Sequence, residues 1–128
     1  MKIYLAGKWG DRKAIRKIMG ELEEKGHEIT HYWPTYGIPE IRTVQNLSDF
    51  ANQDIEGVRH ADIVVVLMTD PAYAYRGSFT EVGAALGMDK PLFIVESPDP
   101  KAYCKTNCFY YHPAITHVAR LEDVPGLY

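Results

Sequence analysis

The run DIVVVLM, Asp62 to Met68, constrains this chain more than any other segment. Its aliphatic and largely β-branched side chains leave no polar face, so the strand they form needs cover on both sides. That requirement points to a central parallel strand with helices above and below it.

The flanking segments supply such helices. KIYLAG opens with a strand, Lys2 to Ala6, that ends at Gly7. DRKAIRKIMGELEEKGH carries Ile15, Ile18, Met19 and Leu22 at helical spacing, and Gly26 suits a helix C-terminal cap. EITHYW, Glu28 to Trp33, reads as a second strand. PTYGIPEIRT, with two prolines and a glycine, predicts a loop of about ten residues, longer than an αβ unit needs and suited to covering a site. A helix from Val44 to His60 is expected through Leu47, Phe50, Ala51 and Val58. SFTEVGAALGM predicts a third helix with Ser78 as its N-cap, and PLFIVE a further strand. A short strand at Ile115 to Val118 and a helical turn near Leu121 to Val124 complete the tail. This order predicts one α/β domain, residues 1–128, with a doubly wound, parallel five-stranded sheet, flavodoxin/Rossmann-like in class.

Composition narrows the partners. A chain of 128 residues with 46% hydrophobic content can bury one core. The net charge of −3, with Lys and Arg scattered, argues against a nucleic-acid partner and for a small molecule. No apolar run reaches the roughly 18 residues of a membrane span, and MKIYLAGKWGD lacks a signal-peptide core, so a cytoplasmic protein is expected. Cys104, Cys108 and His112 share a four-residue spacing that suggests a metal. No fourth ligand is evident and Pro113 opposes a long helix there, so no metal and no cofactor are expected.

In a doubly wound sheet the site lies beyond the carboxyl ends of the strands, where the strand order reverses. AGKWGD, TDPAYAYRGS and ESPDP leave strand ends in that direction. Neither a G-x-G-x-x-G fingerprint nor a P-loop lysine is present, so the chemistry rests on individual side chains. Two carboxylates stand out. Glu81 is expected in the first turn of the third helix, where the dipole favours an ionised carboxylate, with Gly77 permitting close approach of a ligand and Gly83 and Gly87 permitting tight helix packing. Ser78 and Glu81 also form the S-x-x-E capping box, in which the glutamate only caps the helix. Asp54 falls at helical spacing from Phe50 and Val58, on an apolar face and toward a helix C-terminus, where the dipole disfavours its charge, as a general acid requires. A boundary residue facing solvent is the alternative.

IYLAG, QDIEGVRHADIVVVLM (Gln53 to Met68), RGSFTEVGAALGMDKPLFIV (Arg76 to Val95) and NCFYYHPAITHV (Asn107 to Val118), in that order, together resemble the nucleoside 2-deoxyribosyltransferase family. The resemblance implies a retaining transfer of 2-deoxyribose between nucleobases through a covalent glutamyl intermediate. It assigns Glu81 as nucleophile, Asp54 as the proton donor to the base, and Tyr4 as the group that orients the nucleophile. It further implies that Asn107 binds the sugar 5′-hydroxyl across a subunit interface and that Gly7 and Trp9 line the base pocket. The expected partners are a nucleoside or nucleotide, a free base and further copies of the chain, in a homodimer or larger assembly with shared sites. Where some members carry another acidic residue before the nucleophile, this chain has Tyr75 and Arg76. Arg76, Gly77 and Ser78 at a helix start also suit a 5′-phosphate, which keeps hydrolysis of (deoxy)nucleoside 5′-monophosphates open as an alternative. A non-catalytic nucleotide-binding domain and an NAD-cleaving signalling domain are further alternatives.

Overall fold

The computed structural model describes residues 1–35 and 43–128. Five strands, β1 (Lys2–Ala6), β2 (Glu28–Ile29), β3 (Ile63–Met68), β4 (Leu92–Glu96) and β5 (Ile115–Val118), form one sheet. Its order is β2-β1-β3-β4-β5 and every pairing is parallel. Three helices join them: α1 (Arg12–Glu24), α2 (Val44–His60) and α3 (Arg76–Gly87). The expected fold class is therefore the observed one. The order reverses between β1 and β3, which places the ligand crevice at the carboxyl ends of those two strands.

The two-residue period of the strands decides which side chains meet which helices. Ile3, Leu5, Ile63 and Val65 point to one face and pack with Ile15, Met19 and Leu22 of α1 and with Val124 and Leu127. Tyr4, Ala6, Val64, Val66 and Met68 point to the other, against Val58 of α2 and Val82 and Ala85 of α3. Tyr4 thus enters the layer between α2 and α3 because it is one residue out of step with Ile3. Each fully buried aliphatic side chain contributes about 1.5–3 kcal/mol. Truncating Ile94, which is fully buried, to alanine is expected to lower stability by about 2–5 kcal/mol, read from urea denaturation midpoints.

Several local expectations are corrected. β2 ends at Ile29, and Trp33 begins a 3-10 turn, Trp33–Thr35. The Trp33 indole explains the early end, since its Nε1 donates to the Leu5 carbonyl at 2.8 Å and draws the chain over the end of β1. The N-cap of α3 is Tyr75, in the left-handed region at φ 55°, whereas Ser78 is the third helical residue, so no capping box forms. Gly83 and Gly87 are exposed with open space where a Cβ would stand, and they do not serve helix packing. Gly26, at φ 93°, does occupy the turn that ends α1. The segment of Cys104, Cys108 and His112 forms two 3-10 turns, Tyr103–Thr106 and Cys108–Tyr111, rather than one helix. Most of the loop expected from Pro34 to Thr43 falls outside the described residues. Among the described residues no helix is long and apolar enough to cross a membrane.

Candidate active site

At the crevice, side chains from four elements converge. Tyr4, 1% exposed, rises from β1 with Glu81 of α3 and Asp54 of α2 close enough for both carboxyl groups to act on its phenol. Burial first, then the two carboxylates, hold the Tyr4 phenol far above its usual range, so it stays a neutral O–H. Immediately past β2, His31 brings Nε2 to 3.1 Å from Asp54 Oδ1. Its ring stacks on Tyr4, with centroids 6.4 Å apart and planes 17° apart.

Glu81 stands in the second turn of α3 rather than the first, beyond the strongest field of the helix end. Its Oε2 is buried and has no hydrogen-bond partner among the described residues. Burial, with the Asp54 charge adding to it and the Tyr4 hydroxyl opposing, pushes the carboxyl up to about 8. The expectation of a carboxylate stabilised by the first-turn dipole is thus corrected: Glu81 lies one turn further in, where burial opposes its ionised form. Two carboxyl groups whose surroundings differ this much are the usual arrangement for separating acid, base and nucleophile roles.

The close approach of α2 depends on Gly57. A Cβ there would stand 2.8 Å from Tyr4 Cδ2 and Cε2 and 2.8 Å from His31 Cβ. The Gly57 carbonyl accepts a hydrogen bond from Thr30 Oγ1 at 2.8 Å, which ties α2 to the end of β2. Asp54 lies three residues earlier on α2 and is thereby carried over Tyr4. Reading the sequence missed both Gly57 and His31. A glycine inside the helix of QDIEGVRHAD costs about 1 kcal/mol against alanine, and that cost was the available signal of a packing role.

The remaining predicted site residues separate into groups. Gly7 ends β1 where a Cβ would meet Ile15 Cδ1 at 2.5 Å, so it serves the packing of α1 as well as the crevice. Trp9 packs on Trp33, centroids 6.3 Å apart, and under the Arg12 guanidinium at 4.8 Å. Between the loops after β1 and β3, Lys8 and Asp70 form an ion pair. The Tyr75 hydroxyl accepts the Asp70 backbone N–H at 2.9 Å and pins the second loop. A Cβ on Gly77 would meet open space, whereas Ser78 is buried, 4% exposed. Arg76 lines a cleft of about 430 Å³ with Ala74, Phe79, Tyr103, Thr106 and Asn107. At ~100° per residue, Glu81 lies ~140° around α3 from Arg76 and ~160° from Phe79. Arg76 therefore leaves the other side of α3 from Glu81, toward the cleft that it lines with Asn107. Asn107 is positioned by accepting the Phe109 N–H at 2.9 Å, and its segment is anchored by Tyr110, whose hydroxyl donates to Glu96 Oε2 at 2.8 Å. Among the described residues no group of His, Cys, Asp or Glu is arranged to hold a metal ion.

The chain is thus a flavodoxin-like α/β protein that brings two carboxyl groups, Glu81 and Asp54, to the switch point of its parallel sheet. The profile of the family described as nucleoside 2-deoxyribosyltransferase matches residues 3–113, and the chain belongs to that family. No curated protein matches it in sequence. Among solved structures it is similar to the CMP N-glycosidase BcmB of Clostridium botulinum, at 18% identity and TM-score 0.63, over 92% of this chain and 88% of that one. It is also similar to a 2-deoxyribosyltransferase of Bacillus psychrosaccharolyticus, at 20% identity and TM-score 0.61, over 77% of this chain and 75% of that one. A conserved protein from Enterococcus faecalis V583 matches at 17% identity and TM-score 0.59, over 90% and 77%. At these identities the likeness establishes the shared fold.

Proposed function

We propose that this protein cleaves the N-glycosidic bond of a deoxynucleoside with retention and passes 2-deoxyribose to a second base, Glu81 acting as nucleophile and Asp54 as proton donor. The observation that carries this reading is the buried Oε2 of Glu81, without a hydrogen-bond partner among the described residues, set near Tyr4 and Asp54 at the strand-order reversal. A retaining displacement needs two such carboxyl groups about 5 Å apart. A Glu81 oxygen bonds to C1′ while the C1′–N bond breaks, its electron pair going to the base nitrogen, which takes a proton from Asp54. An acceptor base or water then gives a proton to Asp54 and displaces Glu81 from C1′. Family membership supports the assignment, since the matched residues 3–113 include all three groups.

Hydrolysis of (deoxy)nucleoside 5′-monophosphates is a second reading, favoured by the open start of α3 at Gly77, where backbone N–H groups are available to a phosphate. We also propose an assembly of two or more copies in which Arg76 and Asn107 serve a neighbour's site, because Arg76 leaves the other side of α3 from Glu81, toward the cleft that it lines with Asn107. Exposed apolar side chains support such contacts: Val44 is 86% exposed on α2 and Tyr111 is 62% exposed beside Asn107.

The test is a chromatographic panel of deoxynucleosides and their 5′-monophosphates, each with and without an acceptor base. The expected result is a new deoxynucleoside only when acceptor is present, together with a glycosyl adduct on Glu81 by mass spectrometry. Free sugar at equal rate with or without acceptor identifies the hydrolase. No product and no adduct from any substrate would overturn the enzymatic reading.

A further inference from the structure

Asn107 lines its cleft from the edge of a turn, Cys108–Tyr111, that shows most of its side chains to solvent. Phe109 is 54% exposed and Tyr111 62%, whereas Tyr110 between them is 2% exposed. Where the turn sits therefore depends on what holds Tyr110. Its hydroxyl donates to Glu96 Oε2 at 2.8 Å. Glu96 closes β4 beside Met68, at the carboxyl end of the sheet, where the crevice opens. Resting on the reading above that Asn107 serves a substrate, we infer that Glu96 and Tyr110 are positioning residues for the reaction, which hold the Asn107 amide in place to meet that substrate.

The contacts from the strand end to Asn107 are continuous. Asn107 takes the Phe109 N–H on Oδ1 at 2.9 Å and the Tyr110 N–H on its backbone carbonyl at 3.1 Å, so its side chain and backbone both follow the turn. With Oδ1 engaged, the amide nitrogen is the end left to donate to a substrate oxygen. Two groups approach Glu96 Oε2, and distance separates their roles. The Tyr110 hydroxyl is in hydrogen-bond range, whereas His117 Nδ1, at 3.7 Å, is not. His117 packs its ring on Tyr110 instead, with centroids 4.5 Å apart, and closes one side of the phenol. A hydrogen bond from an enclosed hydroxyl to a carboxylate is stronger than one between neutral groups, so it fixes the ring in one place. The preceding turn, Tyr103–Thr106, has ties of its own: the Tyr103 N–H donates to the Pro71 carbonyl at 2.8 Å and Lys105 Nζ to the Ser97 carbonyl at 2.9 Å. Loss of the Tyr110 bond therefore shifts Asn107 without releasing the segment before it.

The experiment measures kcat and KM on whichever of the common deoxynucleosides and their 5′-monophosphates the wild-type protein turns over fastest. Tyr110→Phe keeps the ring and removes the donor, while Glu96→Ala, at a half-exposed position, removes the acceptor and decides the matter if Tyr110→Phe does not fold. Each is expected to lower kcat/KM about tenfold, carried by KM, the scale of one hydrogen bond to substrate. Glu96→Gln restores an acceptor oxygen and is expected to recover kcat/KM to within about threefold of wild type. In an Asn107→Ala background Tyr110→Phe is expected to change nothing further, since the group it positions is gone. A merely structural role gives a different result: less folded protein lowers kcat at constant KM, and the loss adds to that of Asn107→Ala. Either of those outcomes, or full activity in both Tyr110→Phe and Glu96→Ala, overturns the assignment. So does Glu96→Gln falling as far as Glu96→Ala, because charge rather than the hydroxyl bond would then be at work. If Asn107→Ala keeps the wild-type KM, its role in binding falls and the positioning role with it, while turnover by the wild-type protein leaves the Glu81 reading standing. If the wild-type protein turns over none of these substrates, the enzymatic reading falls and takes the positioning role with it.

Discussion

Glutamine at position 81 is expected to abolish turnover and to make the fold more stable above neutral pH. The loss of activity is on the order of 10³-fold or more, because the amide keeps the shape of the side chain and removes the nucleophile. The gain in stability follows from proton linkage. The folded protein holds the Glu81 carboxyl at about 8, far above its unfolded value of 4.5, so the native state binds the extra proton between those limits. Stability contributed by the protonated group is fully present below pH 4.5 and is lost as pH rises toward 8. The span corresponds to a loss on the order of 5 kcal/mol in the wild-type protein. Glu81→Gln removes that dependence. Urea midpoints of the two proteins are therefore expected to lie close together near pH 4.5 and to separate near pH 8.5, with the variant the more stable. Parallel curves across that range, or a variant that still exchanges bases, would count against the buried nucleophile.

The second large effect concerns a residue that never meets the substrate. Gly57→Ala places a methyl group 2.8 Å from two atoms of the Tyr4 ring and from His31 Cβ, and the Tyr4 ring is 1% exposed with no room to yield. Overpacking of this kind costs about 1–3 kcal/mol, while alanine in a helix recovers about 1 kcal/mol over glycine. The net cost is about 0–2 kcal/mol, so the variant is expected to fold, with the strain appearing as displacement of α2. Asp54 rides on that helix. A misplacement of about 1 Å at a catalytic group costs on the order of 10²-fold in rate. Activity is thus expected to fall far more than stability, with kcat affected more than KM. Gly83→Ala, at an exposed position with open space around it, serves as the control and should match wild type within a few tenths of a kcal/mol or exceed it. A Gly57→Ala protein with full activity would show that the approach of α2 to β1 does not position Asp54.

These expectations show how unevenly the site can be read from the chain. The strands and helices are local matters: the β-branched run of β3, the spacing of Ile15, Met19 and Leu22, and the glycine after α1 all act through neighbours a few residues away. Glu81 and Asp54 also stand out locally, as carboxylates in segments otherwise suited to burial. The helix start was misread because Tyr75 caps α3 with a left-handed backbone and a hydroxyl pinned to Asp70, a pairing that the S-x-x-E pattern hides. His31 was missed because a strand through Trp33 would have turned it to the same face as Ile29, away from Tyr4. The strand stops early once the Trp33 indole finds the Leu5 carbonyl.

The sequence by itself determined the order of elements, the parallel sheet and the identity of the two carboxylates, because hydrophobic period and side-chain chemistry are properties of short segments. Only the tertiary structure decided which carboxyl group is the more deeply buried, that His31 and Gly57 pack beside Tyr4 and Asp54, and that Arg76 leaves the other side of α3 from Glu81. Burial, close approach and helix facing arise when residues far apart in sequence share a volume. A glutamate becomes hard to ionise because the fold buries it and brings Asp54, 27 positions away in the chain, close to it, and no local pattern records that neighbourhood.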